Sequence, residues 1–260
     1  MTSLVAQATR QLQQECFAVL PGLYGAAEVE RLKSCVCSVY ESLGSPVPYG
    51  EGSEWPTENV EVSRTGLVLH KLLNFSPELQ QGLLHPDAVE VVRGVLGERM
   101  HLEFVAALIC DDRRPFFPWH MHVGGIDDER YRRLGLTPNY RRHERVAMII
   151  YLEEMSEGSG QLLVHPRDIN DATEAPHPTD LREWPGQTRV VGPPGTVVMM
   201  EQSTWHAVLP RVQRSPRIFV GCWFAADYAT QAERADESLL QLSSPDAVLS
   251  SVLPRGISAG

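Results

Sequence analysis

The hydrophobic period of this chain changes once, near Gly97, and that change constrains the fold more than any other feature. Before it, Val29, Leu32, Val36, Val39, Tyr40 and Leu43 recur every three or four residues from Ala26 onward. This is one face of a helix docked on a sheet. A second helix is punctuated at both ends. Pro86 suits its first position, Ala88, Val91, Val92, Val95 and Leu96 form its buried stripe, and Gly97 stops it. The run Cys16 to Leu20 ahead of them, closed by Pro21-Gly22, reads as a strand ending in a turn, and Gly44 to Asn59 reads as a loop.

After Gly97 the pattern is short β-branched runs. His101 to Ile109, Arg145 to Leu152, Leu162 to Val164, Thr188 to Val191, Thr196 to Met200 and Arg217 to Phe224 are separated by Gly- and Pro-bearing turns, with no helical period between them. Two helices followed by about eight strands predict an α+β chain. Its expected form is one double-stranded β-helix, or jelly roll, with flanking N-terminal helices. We expect a single domain with its core over residues 15–226. The tail from 229 to 260, with a weak helix at Ala232 to Leu242, is expected to be peripheral.

Composition excludes several function classes. The 260 residues are 43% hydrophobic and 22% charged, an ordinary globular balance, with a net charge of −10. An acidic chain with two lysines lacks the basic face that nucleic-acid binding needs. The longest apolar runs, Val146 to Leu152 among them, are too short to span a bilayer, and residues 1–15 carry no secretory hydrophobic block. Five cysteines with no CxxC pair predict a reduced, cytoplasmic protein.

The residues suited to chemistry are histidines. In Pro118-Trp119-His120-Met121-His122, two imidazoles stand two apart, and on a strand such side chains share a face. His206 follows the apolar strand at Thr196 to Met200 and can close a three-point site for a metal such as Fe(II), Zn(II) or copper. Spacing alone leaves open whether these are ligands or ordinary polar residues. Arg217 starts an alternating strand on which Arg217, Phe219, Gly221 and Trp223 share one face. Should that face be interior, Arg217 is a buried cation that requires an anion. His70, His85, His101, His143, His165 and His177 have no spaced partners, and Glu103 is expected at an exposed edge.

These pieces, in this order, resemble the phytanoyl-CoA dioxygenase-like branch of the Fe(II)/2-oxoglutarate-dependent oxygenases. FAVLPGLYGAAEVERLK resembles its entry strand, turn and helix, and HPDAVEVVRGVLG its second helix. PWHMH resembles its Trp-His-x-Asp strand, and YLEEMSEGSGQLLVHPRD the hairpin that follows. PPGTVVMMEQSTWHAVLPRVQRSPR resembles the strand carrying the distal histidine and the cofactor arginine. The resemblance implies that His120 and His206 bind iron and that Arg217 holds the distal carboxylate of 2-oxoglutarate. It further implies that molecular oxygen and the keto acid are consumed, with succinate released, while hydrogen is abstracted from a small organic substrate; the histidine at position 122 points toward a specialised metabolite or amino-acid derivative.

One departure matters most, because His122 stands where the family has its aspartate. In one reading His122 is a third imidazole ligand alongside His120 and His206. Alternatively it is the proximal ligand of a His-x-Gly site of the iron-halogenase type, or Asp127 or Asp128 swings in to supply the carboxylate. In the last reading the protein is a non-catalytic jelly roll that binds a metal or ligand. The arginine-rich stretch from Arg130 to Arg142, including Arg132, Arg133 and Arg141, lies where the family places a lid. It is a candidate for recognising an anionic substrate group.

Overall fold

The computed structural model describes residues 3–111, 113–122, 141–230 and 236–254. In chain order, helix α1 (Ser3–Glu15) and strand β1 (Phe17–Leu20) precede helix α2 (Ala26–Ser42). Strands β2 (Glu54–Thr57), β3 (Val60–Ser63) and β4 (Gly66–Leu69) form a meander. Helix α3 (Leu72–Phe75) and helix α4 (Pro86–Leu96) follow. The barrel strands are β5 (His101–Cys110), β6 (Phe117–His120), β7 (Arg145–Tyr151), β8 (Leu162–Val164), β9 (Thr188–Arg189), β10 (Val197–Glu201), β11 (His206–Val208) and β12 (Arg217–Ala225).

The strands form two antiparallel sheets, of order β1-β10-β7-β12-β5-β4-β3-β2 and β6-β11-β8-β9. The chain is thus α+β, a double-stranded β-helix with helices on one side. Alternation along the strands of the larger sheet sorts side chains into two layers. Ile218, Val220, Cys222 and Phe224 of β12 join Val146, Met148 and Ile150 of β7 in the outer core, against the helical stripes Leu32–Val36 and Val91–Val92. Phe219, Tyr151, Val198 and Met200 project the other way, into the barrel, to meet Val164 and Val208 of the smaller sheet.

Capping explains the helix limits. The Gly25 amide donates to the Glu28 carboxylate at 2.8 Å at the start of α2, and the Asp87 amide donates to His85 Nδ1 at 3.2 Å at the start of α4.

Several elements differ from the sequence expectation. Residues 3–15 are helical, with Val5, Ala8 and Leu12 buried. The Gly44–Asn59 stretch contains β2, so the expected loop ends in an edge strand. Its exposed Trp55 and Pro56 suit an edge, where proline removes a free donor. Thr188 to Val191 contributes only two residues of strand. In the C-terminal segment the described residues form a 3₁₀ turn at Glu237–Gln241 and a short helix at Ala247–Ser250. Leu239, Leu249 and Val252 are buried in the outer core, and the Leu102 amide donates to the Val252 carbonyl at 2.7 Å. All five cysteines are free thiols, and among the described residues no helix is long and apolar enough to cross a membrane.

Candidate metal centre

The smaller sheet brings the three histidines together. On β6 the Trp119 ring turns outward and stacks on Trp184 at 4.2 Å between centroids and 11° between planes, its Nε1–H donating to the Leu181 carbonyl at 2.9 Å. That anchor turns His120 inward. The His122 amide donates to the Gln202 carbonyl at 2.9 Å, which carries the next inward position toward β11. On β11 the alternation puts Ala207 into the outer tryptophan cluster and turns His206 and Val208 inside. His206 is the cross-strand partner of His120.

One potential ligand atom from each of His120, His122 and His206 lies within 4.8 Å of the other two. The Nε2 atoms of His122 and His206 are 3.1 Å apart. Two nitrogens bound at right angles to one ion at about 2.1 Å would be about 3.0 Å apart, so this pair needs little adjustment to share one. His206 Nδ1 lies 2.9 Å from the Thr204 carbonyl and His120 Nδ1 lies 2.8 Å from the Pro118 carbonyl. Since a carbonyl only accepts, each Nδ1 carries the proton and each Nε2 keeps its lone pair.

Electrostatics point the same way. Burial, reinforced by His120 and His122, holds His206 well below the ordinary histidine range. Burial also lowers His120. His122 is lowered by desolvation of its ring and then by His120, although the residue as a whole is exposed. Three neutral imidazoles on one side of a cleft are a donor set for a borderline divalent ion such as iron, nickel or zinc.

A small cavity beside them is lined by His122, His206, Ala147, Met200, Glu201 and Trp223. Burial pushes the Glu201 carboxyl up to about 7, against hydrogen bonding from Ser203 and the charge of Arg167. From the cavity an aromatic row runs outward along the inner face of the larger sheet. Trp223 meets Phe104 at 5.1 Å, Phe104 meets His70 at 5.5 Å, and His70 stacks on the exposed Trp55 at 5.1 Å. Gly221 makes room for it, since a Cβ there would sit 2.4 Å from the Trp223 ring.

At the other end of β12, Arg217 is 1% exposed, its guanidinium carbon 5.8 Å from the Tyr151 ring centre and 5.4 Å from that of Phe219. Its Nη1 donates to the Gly160 carbonyl. The sequence grouped Arg217 with Phe219, Gly221 and Trp223 and left open which way they face; they face the barrel, where Arg114, which the sequence did not single out, is also buried. Glu103, expected at an exposed edge, is 5% exposed. It receives both Nε and Nη2 of Arg145 at 2.7 and 2.9 Å, because an acid on a central strand is kept only when it is paired. Of the lid candidates, Arg141 is exposed, and Arg132 and Arg133, like Asp127 and Asp128, lie outside the described residues.

No family model matches the chain, and no curated protein does. Its fold is shared with solved structures of non-haem, 2-oxoglutarate-dependent enzymes. SnoK, a carbocyclase from nogalamycin biosynthesis, aligns with a TM-score of 0.65 at 18% identity, over 94% of this chain and 92% of its own. HygX from Streptomyces hygroscopicus, with nickel and 2-oxoglutarate bound, gives 0.62 at 15% identity over 89% of each chain. The epimerase SnoN, also from nogalamycin biosynthesis, gives 0.60 at 12% identity over 85% of this chain and 82% of its own. At such identities the likeness establishes the architecture, a double-stranded β-helix of the kind these enzymes are built on. Their reactions differ, and the narrower phytanoyl-CoA dioxygenase-like resemblance rests on the sequence motifs.

Proposed function

We propose that this protein is an Fe(II)/2-oxoglutarate-dependent oxygenase of the phytanoyl-CoA dioxygenase-like type, with His120, His122 and His206 holding the iron and Arg217 the distal carboxylate of the keto acid. The observation that carries this reading is the meeting of three neutral imidazoles inside a double-stranded β-helix that also buries a guanidinium. Bound iron and keto acid would supply an oxidant made from molecular oxygen. The chain's own residues do the rest. Thr204 and Pro118 carbonyls fix two ring tautomers, and the apolar wall of Phe219, Met200 and Val208 keeps water from the reacting centre.

The substrate is a small organic molecule that lies over Trp223 and Phe104, where ring faces favour a flat or ring-bearing skeleton. One HygX structure holds hygromycin B beside nickel and 2-oxoglutarate, and two other neighbours act in nogalamycin biosynthesis, with which a tailoring step on a specialised metabolite is in keeping. The cross-strand pairing of His120 with His206 favours His120 as a ligand, and therefore the three-imidazole site over a His-x-Gly halogenase arrangement. An acidic chain with free thiols suits a cytoplasmic enzyme without nucleic-acid or membrane partners.

Anaerobic titration with Fe(II) and 2-oxoglutarate tests the proposal. The expected result is a visible charge-transfer band that Arg217→Ala weakens, with succinate released once oxygen is admitted. Metal binding with neither band nor succinate would leave a non-catalytic binding module.

A further inference from the structure

Arg114 is 4% exposed and lies between β5 and β6, beside Arg217. The two guanidiniums converge on one sulfur. Arg114 Nη1 donates to Cys110 Sγ at 3.2 Å, and Arg217 Nη2 approaches that sulfur at 4.0 Å. Gly160, whose carbonyl accepts from Arg217 Nη1, is also where an added Cβ would lie 3.4 Å from Arg114 Nη2. Left over are Arg114 Nε, Arg114 Nη2 and Arg217 Nε, all buried and without an acceptor.

Other buried arginines of this barrel are provided for differently. Arg145 has the Glu103 carboxylate, Arg167 the Ser203 hydroxyl and the carbonyls of Ile169 and Asp171 with its Nε left over, and Arg211 the carbonyls of Ser159 and Ser215. Among the described residues no carboxylate pairs with Arg114 or Arg217. Burial and the charge of Arg217 push Arg114 down to about 10, which leaves it charged at neutral pH. Cys110 is a weak counterweight. Burial raises its thiol, and the two guanidiniums more than reverse that, for a net lowering. Two buried cations with spare N–H groups call for an anion with two oxygens.

We propose that Arg114 and Arg217 together form a two-guanidinium seat for one carboxylate of a dicarboxylate, so that Arg114 is a specificity-determining residue for the keto acid. This rests on the oxygenase reading only in naming 2-oxoglutarate as the occupant. The seat itself follows from the unpaired guanidinium nitrogens. Each oxygen of the carboxylate would take N–H groups from a different arginine, and Cys110 Sγ and the Gly160 carbonyl would hold the two forks in register. A monocarboxylate keto acid such as pyruvate, which lacks the distal group, would leave both cations unpaired and is rejected on that ground.

The test uses glutarate, a five-carbon dicarboxylate without the 2-oxo group, and the metal-free protein, so that binding does not depend on iron. Calorimetry should show glutarate binding to the wild type, weakened about tenfold to a hundredfold by either Arg114→Gln or the charge-keeping Arg114→Lys. In the iron-loaded enzyme, Arg114→Lys should raise the KM for 2-oxoglutarate by a similar factor and leave kcat at saturating keto acid within about twofold. Glutarate affinity in Arg114→Lys within about twofold of wild type, or no glutarate binding by the wild type, overturns the seat. Glutarate binding that Arg114→Lys weakens, in a protein that gives no band with Fe(II) and 2-oxoglutarate, keeps the seat and overturns the oxygenase reading.

Discussion

The two faces of the eight-stranded sheet are made from the same strands but obey different rules. On β12, Ile218, Val220, Cys222 and Phe224 face the helices in an apolar layer. One residue out of phase, Arg217, Phe219, Gly221 and Trp223 face the barrel, where a buried cation, a missing side chain and a half-exposed indole follow one another. The outer face spends its side chains on burial, worth about 25 cal/mol per Å². The inner face forgoes some of that to keep polar groups in fixed places, which is where a binding or catalytic site must be. Stability and chemistry are thus separated by strand alternation and not by region of sequence.

Substitutions on each face can break that division. The largest effect is expected on the outer face, where Phe224→Ala should lower the free energy of unfolding in urea by about 3–5 kcal/mol. A loss that small substitutions on the inner face reproduced would dissolve the distinction. Glu201 sharpens it, because it continues the outward register of Val197 and Met199 on β10 yet is a buried acid. Its carboxyl is raised to about 7 in the folded chain, so the protonated form is favoured by folding. Its contribution is therefore complete below the unfolded value near 4.5 and lost as pH rises through about 7. Glu201→Gln should remove that slope, gaining on the wild type by on the order of 3 kcal/mol between pH 5 and pH 8 in thermal unfolding. A parallel pH dependence in the two proteins would show that Glu201 is ionised throughout.

On the inner face, Arg217→Lys should cut kcat/KM for 2-oxoglutarate tenfold to about a hundredfold, with little change in unfolding midpoint. The smallest effect belongs to Gly221→Ala. The added methyl must displace the Trp223 ring, at an expected cost of about 1–2 kcal/mol and with a change in tryptophan fluorescence.

The same division explains what was legible in the sequence. Outer-face patterns are apolar and periodic, so α2, α4, β5, β7 and β12 stand out. Helix α1 does not, because its buried stripe includes Ala8 and Thr9, which carry little hydrophobic signal. Strands β2 to β4 are four residues each and contain Pro56, Ser63 and Gly66, so β2 falls inside the stretch that reads as loop and β3 and β4 give no strand signal of their own. In the candidate site, the His-x-His pair and Arg217 stood out because strand period places each on one face. Arg114 was not. In Asp111-Asp112-Arg113-Arg114-Pro115 it reads as one charge of a solvated turn, and only the packing of Cys110 and Gly160 around it removes the water. The aromatic row was missed for a related reason, since Trp55, His70, Phe104 and Trp223 come from four separate segments.

The central claim is that His120, His122 and His206 converge on one ion. X-ray absorption at the iron edge, on anaerobic Fe(II)-loaded protein, counts imidazole ligands directly. Three nitrogens from imidazole rings at about 2.1 Å, falling to two in His122→Ala, are the expected result. Two imidazoles in the wild type, unchanged by His122→Ala, would contradict it.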